Sequence, residues 1–508
     1  MLAGTGSDVG KSVLATALCR ILRQDGYAPA PFKAQNMALN SFATPEGYEI
    51  GRAQAVQAEA AGLAPHTDMN PLLLKPQSDH TSQVVLNGRP VGSSSAYEYF
   101  RNEGRDELRQ AVHAAFDRLN ARYNPIVLEG AGSISELNLR RQDLVNMPMA
   151  AYADADVLLV ADIDRGGVFA SVYGSIALQT AEDRRRIRGI IVNKFRGDMR
   201  LFDEGRRMME ELCGVPVLGV IPHFTDIHIE EEDSVALTQK AVAAERGRVN
   251  VAVVLLRHIS NFTDFNVLER DPRVHLYYTN NEQELLKADI IILPGSKSTI
   301  ADLYELRRNG AAQAIVRARR DGASVLGICG GYQMMGQEVL DPDHVEGDIE
   351  RLPGLGLLPI LTTIGGEKRT RQVSFTLHAT SSALHATPST LYATQSPPHH
   401  LPFTGYEIHM GRTLPVSGAP EQPLCLLSDG TSDGYCADER CAGTYIHGLL
   451  DNAEVIDRLL APYADKLSTG AAAFDYGQFK NEQYDRLADH VRHHLDMERL
   501  YQIMTTAQ

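Results

Sequence analysis

Short runs of β-branched and aliphatic residues punctuate the first half of the chain: Ile126-Val127-Leu128, Val157 to Val160, Gly189 to Val192 and Val215 to Ile221. Runs this short and this uniformly apolar read as strands buried on both faces, and the segments between them are long enough for crossover helices. A second series follows at Val249 to Leu256, Ile290 to Leu293 and Ser324 to Ile328, with Gly or Pro punctuation where tight turns are expected. The fold class is therefore α/β, with two parallel-sheet domains. Between the two series the chain turns acidic at Glu230 to Asp233 and then polar through Arg248. This predicts a first domain over 1–235, a surface linker over 236–249 and a second domain over 250–508. Near the end, Tyr484, Leu487, Val491 and Leu495 recur three and four apart, the spacing of one helical face. These helices are expected to pack as a tail of the second domain.

One stretch breaks the pattern. Residues 376–398 contain LHATSSA, LHATPST and LYATQSP, a seven-residue repeat with one apolar anchor per repeat. Pro388, Pro397 and Pro398 exclude a coiled coil, so the repeat reads as a low-complexity surface insertion.

Composition narrows the function classes. The chain has 508 residues, 44% hydrophobic and 22% charged, which fits a soluble multidomain protein able to bury sizeable cores. A formal charge of -15 argues against nucleic acid or an anionic membrane as partner, so any anionic ligand must be held by local devices. No run of 18 apolar residues and no secretory signal is found, and a cytoplasmic protein is expected. The six cysteines are too sparse for a disulfide framework. Cys436 and Cys441 lack the companions of a zinc set. His490, His493 and His494 could face a metal but read more simply as a solvated face.

The chemistry begins at Gly4-Thr5-Gly6-Ser7-Asp8-Val9-Gly10-Lys11-Ser12, which runs straight into an aliphatic helix pattern. A Gly-rich turn at a helix N-terminus aims backbone N–H groups at phosphates; Lys reaches the terminal phosphates and the Ser hydroxyl ligates magnesium. The spacing is imperfect, since Thr5 occupies the position of the usual first glycine. Thr5, Gly6, Asp8, Val9, Gly10, Lys11 and Ser12 are the expected ATP-binding residues. Downstream, Glu129 stands at a strand end in LEGAG, where it can hold magnesium beside Ser12. Lys33 offers a second cation for the transferred phosphate, and Asn193 could meet the adenine base. Asp162 and Asp164 point the same way from a strand end and either share a cation or cap the strand.

In the second half, Gly327-Ile328-Cys329-Gly330-Gly331 follows an aliphatic strand and leads into an expected helix over Tyr332 to Val339. A cysteine on such an elbow is exposed at the sheet edge, at a helix N-terminus that favours thiolate. His447, ending a short β-like run, is the expected partner for attack on a carboxamide. Backbone N–H groups at Gly295 and Gly330 are the expected oxyanion donors. Glu407 and His409, in GYEIHMG, read as structural or site-facing residues.

The loop GTGSDVGKS, the lysine in PFKAQNMALNS and the LEGAGS segment resemble the dethiobiotin synthetase branch of P-loop proteins. That resemblance implies a second magnesium carboxylate after the lysine segment, where IGRAQAVQA offers Gln54, with Glu49 a few residues earlier. The strings LPGSKST, GICGGYQMMG and GTYIHG resemble triad-type class I glutamine amidotransferases. The longer strings PFKAQNMALNS, IGRAQAVQA, MNPLLLKPQSD and VADIDRGGVFAS resemble the cobyric acid synthase family of cobalamin biosynthesis. That resemblance implies an ATP-dependent amide ligase using magnesium, ATP, glutamine and a corrinoid substrate. ATP would activate carboxylates of adenosylcobyrinic acid a,c-diamide at positions b, d, e and g, and glutamine would supply ammonia. Most triad enzymes carry Glu two residues after the histidine, where this chain has Leu449, so a Cys–His dyad is expected. A cobyrinic acid a,c-diamide synthase is the alternative within the class. A partitioning or regulatory P-loop ATPase is the alternative outside it, and it leaves Cys329, His447 and the whole second domain without a task.

Overall fold

Strand Leu2–Gly4 lies at the centre of a parallel sheet, paired with Val157–Asp162, which pairs with Ile187–Phe195 and then Val217–Pro222. On its other side, Ala30–Phe32 pairs with Ile126–Leu128, and a bridge from Leu2 to Glu129 joins the two sets. All these pairings are parallel, as expected of strands apolar on both faces. In the computed structural model the described residues are 1–77, 81–95, 105–230, 232, 237, 240–365, 368–378, 402–467 and 474–506. They form two compact units, the first comprising Met1–Ala38, Tyr48–Glu230 and Gln478–Gln508, the second Leu39–Gly47 and Glu231–Gly477.

In the first unit, helix Lys11–Gln24 carries Leu14, Leu18, Ile21 and Leu22 on its buried side. It starts abruptly because Gly10 adopts φ 95°, a left-handed conformation that a side chain rarely adopts. Its apolar stripe packs with Leu487, Val491 and Leu495 of the C-terminal segment in one core. Arg20 Nε bonds Asp485 at 2.7 Å beside that core. The terminal segment also bridges the sheet edge through Gly219 and Leu495. The opposite face is covered by Val168–Ala177 and Asp203–Cys213, which contribute Val172, Ile176 and Met209 to a second core.

In the second unit the sheet runs Val274–Thr279, Val249–Val254, Ile290–Leu293, Ser324–Ile328 and Cys441–Thr444, all parallel, with Tyr435–Asp438 antiparallel at the edge. An antiparallel sheet beside it ends on Phe403–His409 paired with Ile446–His447.

Three sequence expectations change. The terminal helices pack on the first unit rather than on the second domain, because their apolar face completes the core behind the phosphate-loop helix. Residues of the expected linker are seated on the second unit: Ala241 O accepts Tyr278 N at 2.8 Å and Ala244 N donates to Glu284 at 3.0 Å. The helix expected over Tyr332 to Val339 spans only Gly330–Met334, since a Cβ at Gly336 would stand 2.8 Å from Ile360 O and Glu338–Leu340 is taken up as a strand beside Ile360–Thr363. From residue 379 to its end the seven-residue repeat lies outside the described residues. No described helix is long and apolar enough to cross a membrane.

Leu487 is fully buried in the core shared with the phosphate-loop helix. Leu487→Ala should destabilise the first unit by about 2–5 kcal/mol. The expected outcome is a lower thermal midpoint for nucleotide binding, with glutamine hydrolysis by the second unit retained at temperatures below it.

Candidate active sites

The phosphate loop of the first unit is closed around its own lysine. Lys11 Nζ donates to Gly6 O at 3.0 Å and Gly132 O at 2.9 Å, so the ammonium spans the loop mouth and meets the Glu129 segment. Burial, only partly offset by Glu129, lowers Lys11 to about 8. Gly4 is small for a reason: a Cβ there would stand 2.6 Å from Lys11 Nζ. Thr5 N bonds Val160 O at 3.0 Å, and Asp8 adopts φ 57° in the turn.

Glu129 is the hub. It is buried, and its Oε1 accepts Ser12 Oγ at 2.7 Å and Lys33 Nζ at 2.8 Å, while Oε2 accepts Gln57 Nε2 at 2.6 Å. Burial would raise its pKa, but Lys33's charge and these hydrogen bonds outweigh burial and hold it below the ordinary value. The expected residues Lys11, Ser12, Lys33 and Glu129 are thus brought together. Gln57, which sequence reasoning missed in favour of Gln54 three residues earlier, completes the group. Its Oε1 is buried without a hydrogen-bond partner, an acceptor beside Ser12 and Glu129. A hydroxyl, one ionised carboxylate and a spare amide oxygen fit magnesium, which takes one or two protein ligands and completes its shell with phosphates and water. Glu49, the other candidate carboxylate, is buried against Lys75 at 2.7 Å.

Asn193 serves the loop backbone: its Nδ2 donates to Val9 O at 2.9 Å, and a Cβ on Gly10 would collide with it at 2.2 Å. Asp162 accepts Asp164 N at 2.8 Å and pairs with Lys194 at 3.0 Å; Asp164 pairs with Arg196 at 2.8 Å. Of the two readings for these carboxylates, strand-end capping is the one their partners support.

In the second unit, strand Ser324–Ile328 delivers Cys329 at φ 54°, ψ −112°, directly ahead of helix Gly330–Met334. A non-glycine residue in that region is strained, and such strain at a strand-to-helix elbow is what projects a nucleophile. Small neighbours make the turn possible. A Cβ on Gly331 would lie 1.9 Å from Leu293 O, and one on Gly330 would lie 2.8 Å from Ser296 N. Gly295, paired with Ser260, sits where a Cβ would be 3.3 Å from His447 Cε1. Cys329, Gly330, Gly295 and His447 therefore converge around one spot. Cys329 Sγ is 3.5 Å from Ile408 O.

His447 is buried, and its Nδ1 meets Asp264 Oδ2 at 2.7 Å, while Gly448 N donates to Asp264 Oδ1 at 3.1 Å. Burial would lower the imidazole, but Asp264 and Cys329 outweigh it and raise it to about 10. The expected Cys–His dyad is thus corrected: a carboxylate does hold the histidine, arriving from residue 264 rather than 449. No sequence signal near His447 could have found it, because it lies 183 positions away.

Family models match both halves: residues 1–235 match the CobQ/CobB/MinD/ParA nucleotide binding domain and 250–455 the CobB/CobQ-like glutamine amidotransferase domain. Cobyric acid synthase of Bacteroides fragilis is 68% identical over 505 residues, covering 99% of this chain and 98% of that protein. The enzymes of that name from Parabacteroides distasonis and Klebsiella pneumoniae are 58% and 47% identical, over 99% and 100% of this chain and 97% and 98% of theirs.

The chain belongs to the cobyric acid synthase family.

As a member of the cobyric acid synthase family it is an ATP-dependent amide ligase with glutamine amidotransferase activity. The remaining candidates sort by their partners. Glu407 pairs with Arg371 at 2.6 Å and Arg369 at 3.1 Å, a structural use. His409 stacks on Tyr445 at 3.7 Å with both ring nitrogens buried and without hydrogen bonds; burial, aided by Arg369, lowers it to about 3, so the ring is neutral. His490 is half-buried with Nε2 on Pro222 O at 2.9 Å, so the terminal histidines are not simply a solvated face. Among the described residues no group of three His, Cys, Asp or Glu is placed to hold a metal.

Gly331→Ala must push either the elbow or strand Ile290–Leu293 aside, since the obstacle is backbone. A displacement of about 1 Å at reacting groups costs on the order of 100-fold in rate. Glutamine hydrolysis should fall by about that factor while nucleotide binding persists; unchanged hydrolysis would show that the elbow tolerates the methyl.

Proposed function

We propose that this protein amidates the b, d, e and g carboxylates of adenosylcobyrinic acid a,c-diamide, one after another, with ammonia drawn from glutamine. The observation that carries this reading is the presence, in one chain, of a lysine-bounded phosphate loop around Glu129 and a cysteine elbow facing an Asp-held histidine. Near full-length identity to the cobyric acid synthases supports the choice of substrate.

In the glutaminase centre, Cys329 gives its thiol proton to His447 and its Sγ attacks the side-chain carbonyl carbon of glutamine. The carbonyl oxygen gains negative charge and is stabilised by the backbone N–H groups of Gly295 and Gly330. The C–N bond then breaks, and ammonia leaves with a proton from His447, whose ring Asp264 holds by Nδ1. Water cleaves the resulting thioester, releasing glutamate and restoring the thiol.

In the synthetase centre, backbone N–H groups over Gly6, Asp8, Val9 and Gly10 cradle the phosphates of ATP, while the expected donor Thr5 N is spent on Val160 O in the sheet and Asn193 braces the loop from behind. Ser12 and Glu129, with the Gln57 oxygen beside them, would hold magnesium, which when bound neutralises phosphate charge. Lys11 and Lys33 place two cations at the transferred phosphate. A corrinoid carboxylate oxygen attacks the γ-phosphorus, ADP departs, and ammonia displaces phosphate from the acyl phosphate to leave an amide. A cytoplasmic location fits this chemistry, which consumes ATP and glutamine.

The two centres separate experimentally. Cys329→Ala should abolish glutamine-supported amidation and leave ammonium-supported amidation, measured by product mass; loss of both would sink the two-centre scheme. Lys11→Ala should stop amidation with either nitrogen source, and persistent ATP-dependent product would refute the phosphate-loop assignment. With intact protein, ATP, magnesium, glutamine and the a,c-diamide, mass spectrometry should show four successive replacements of hydroxyl by amino. No product from that corrinoid would reject the substrate.

A further inference from the structure

The second unit is not built from the second half of the chain alone. The segment Leu39–Gly47, which follows the lysine string PFKAQNMALNS in sequence, belongs to it, and the chain returns to the first unit at Tyr48. Asn40 and Ser41 are 0% and 1% exposed, although both are small polar residues. Residues of this type are buried so fully only where their hydrogen bonds are met.

Those bonds converge on one turn. Ser41 N donates to Asn261 Oδ1 at 3.0 Å, and Phe262 N donates to Asn40 Oδ1 at 3.2 Å. Asn40 Nδ2 donates to Glu232 O at 2.6 Å. Asn261 stands at φ 53° and starts the single turn Phe262–Phe265, within which Asp264 N bonds Asn261 O at 3.1 Å. That turn presents Asp264 to His447. The same segment reaches the other side of the imidazole: Tyr406 stacks on His447 at 5.3 Å, and its hydroxyl donates to Ser41 O at 3.4 Å. Phe42 packs on the Tyr406 ring at 4.7 Å, and Gln372 Nε2 donates to Ala43 O.

We propose that Asn40 and Ser41 are positioning residues of the glutaminase centre, a strap supplied by the synthetase half of the chain that fixes the Asn261–Phe262 turn and so the Asp264 carboxylate on His447. The inference rests on the Cys329–His447 reading of that centre. Its consequence is that glutamine hydrolysis requires the strap to be seated.

The test is glutamate release from glutamine by the full chain, which needs no corrinoid and so fails independently of the substrate assignment. Asn40→Ala removes both the acceptor for Phe262 N and the donor to Glu232 O and should lower kcat at least about tenfold, with KM for glutamine within about twofold. Should Asn40→Ala fail to fold, Asn261→Gly decides, because it preserves the left-handed turn and deletes only the acceptor for Ser41 N. An unchanged kcat in Asn40→Ala or, where that variant does not fold, in Asn261→Gly would overturn the proposal. So would a change in KM alone.

Discussion

A carboxylate taken out of water must be met by cations and donors or give up its charge. Glu129 is met three times, by Lys33, Ser12 and Gln57, from three separate segments. The first unit's architecture follows from that demand. The strand ending at Leu128 has to lie beside both Ala30–Phe32, which delivers Lys33, and Leu2–Gly4, which delivers the loop. Asp264 imposes the same demand on the second unit, where His447 and the Gly448 N–H answer it. Each centre is organised around one buried acidic group.

Such groups explain what the sequence disclosed. The apolar runs that became Val157–Asp162, Ile187–Phe195, Val217–Pro222, Val249–Val254, Ile290–Leu293 and Ser324–Ile328 carry their burial in their composition, and the parallel sheets followed from them. Cys441–Thr444 is legible only in part, as the start of the short β-like run before His447, because its residues are small enough to admit the ring of Tyr332 against Gly443 and so lack bulk to signal burial. Val274–Thr279 was missed because His275 and two tyrosines dilute its apolar character.

At the sites, residues inside a compact motif were readable: Lys11 and Ser12 by spacing, Cys329 by its flanking glycines. Residues recruited across the fold were not. Asp264, Gln57 and Asn40 have no local signature, because what selects them is the group they meet. The same reason misplaced the C-terminal helices. Their spacing revealed a buried face, while the surface that buries it, the outer side of Lys11–Gln24, is set by topology.

That topology has a consequence for how the protein is made. The core behind the phosphate loop includes Leu487, Val491 and Leu495, which are translated only after all of the second unit. Domains that form as they emerge from the ribosome do so from their N-terminal side onward. Here the nucleotide-binding unit, first to emerge, must wait with part of its apolar surface uncovered until the glutaminase has been synthesised. Assembly is thereby ordered: the half that liberates ammonia can fold before the half that spends ATP is finished.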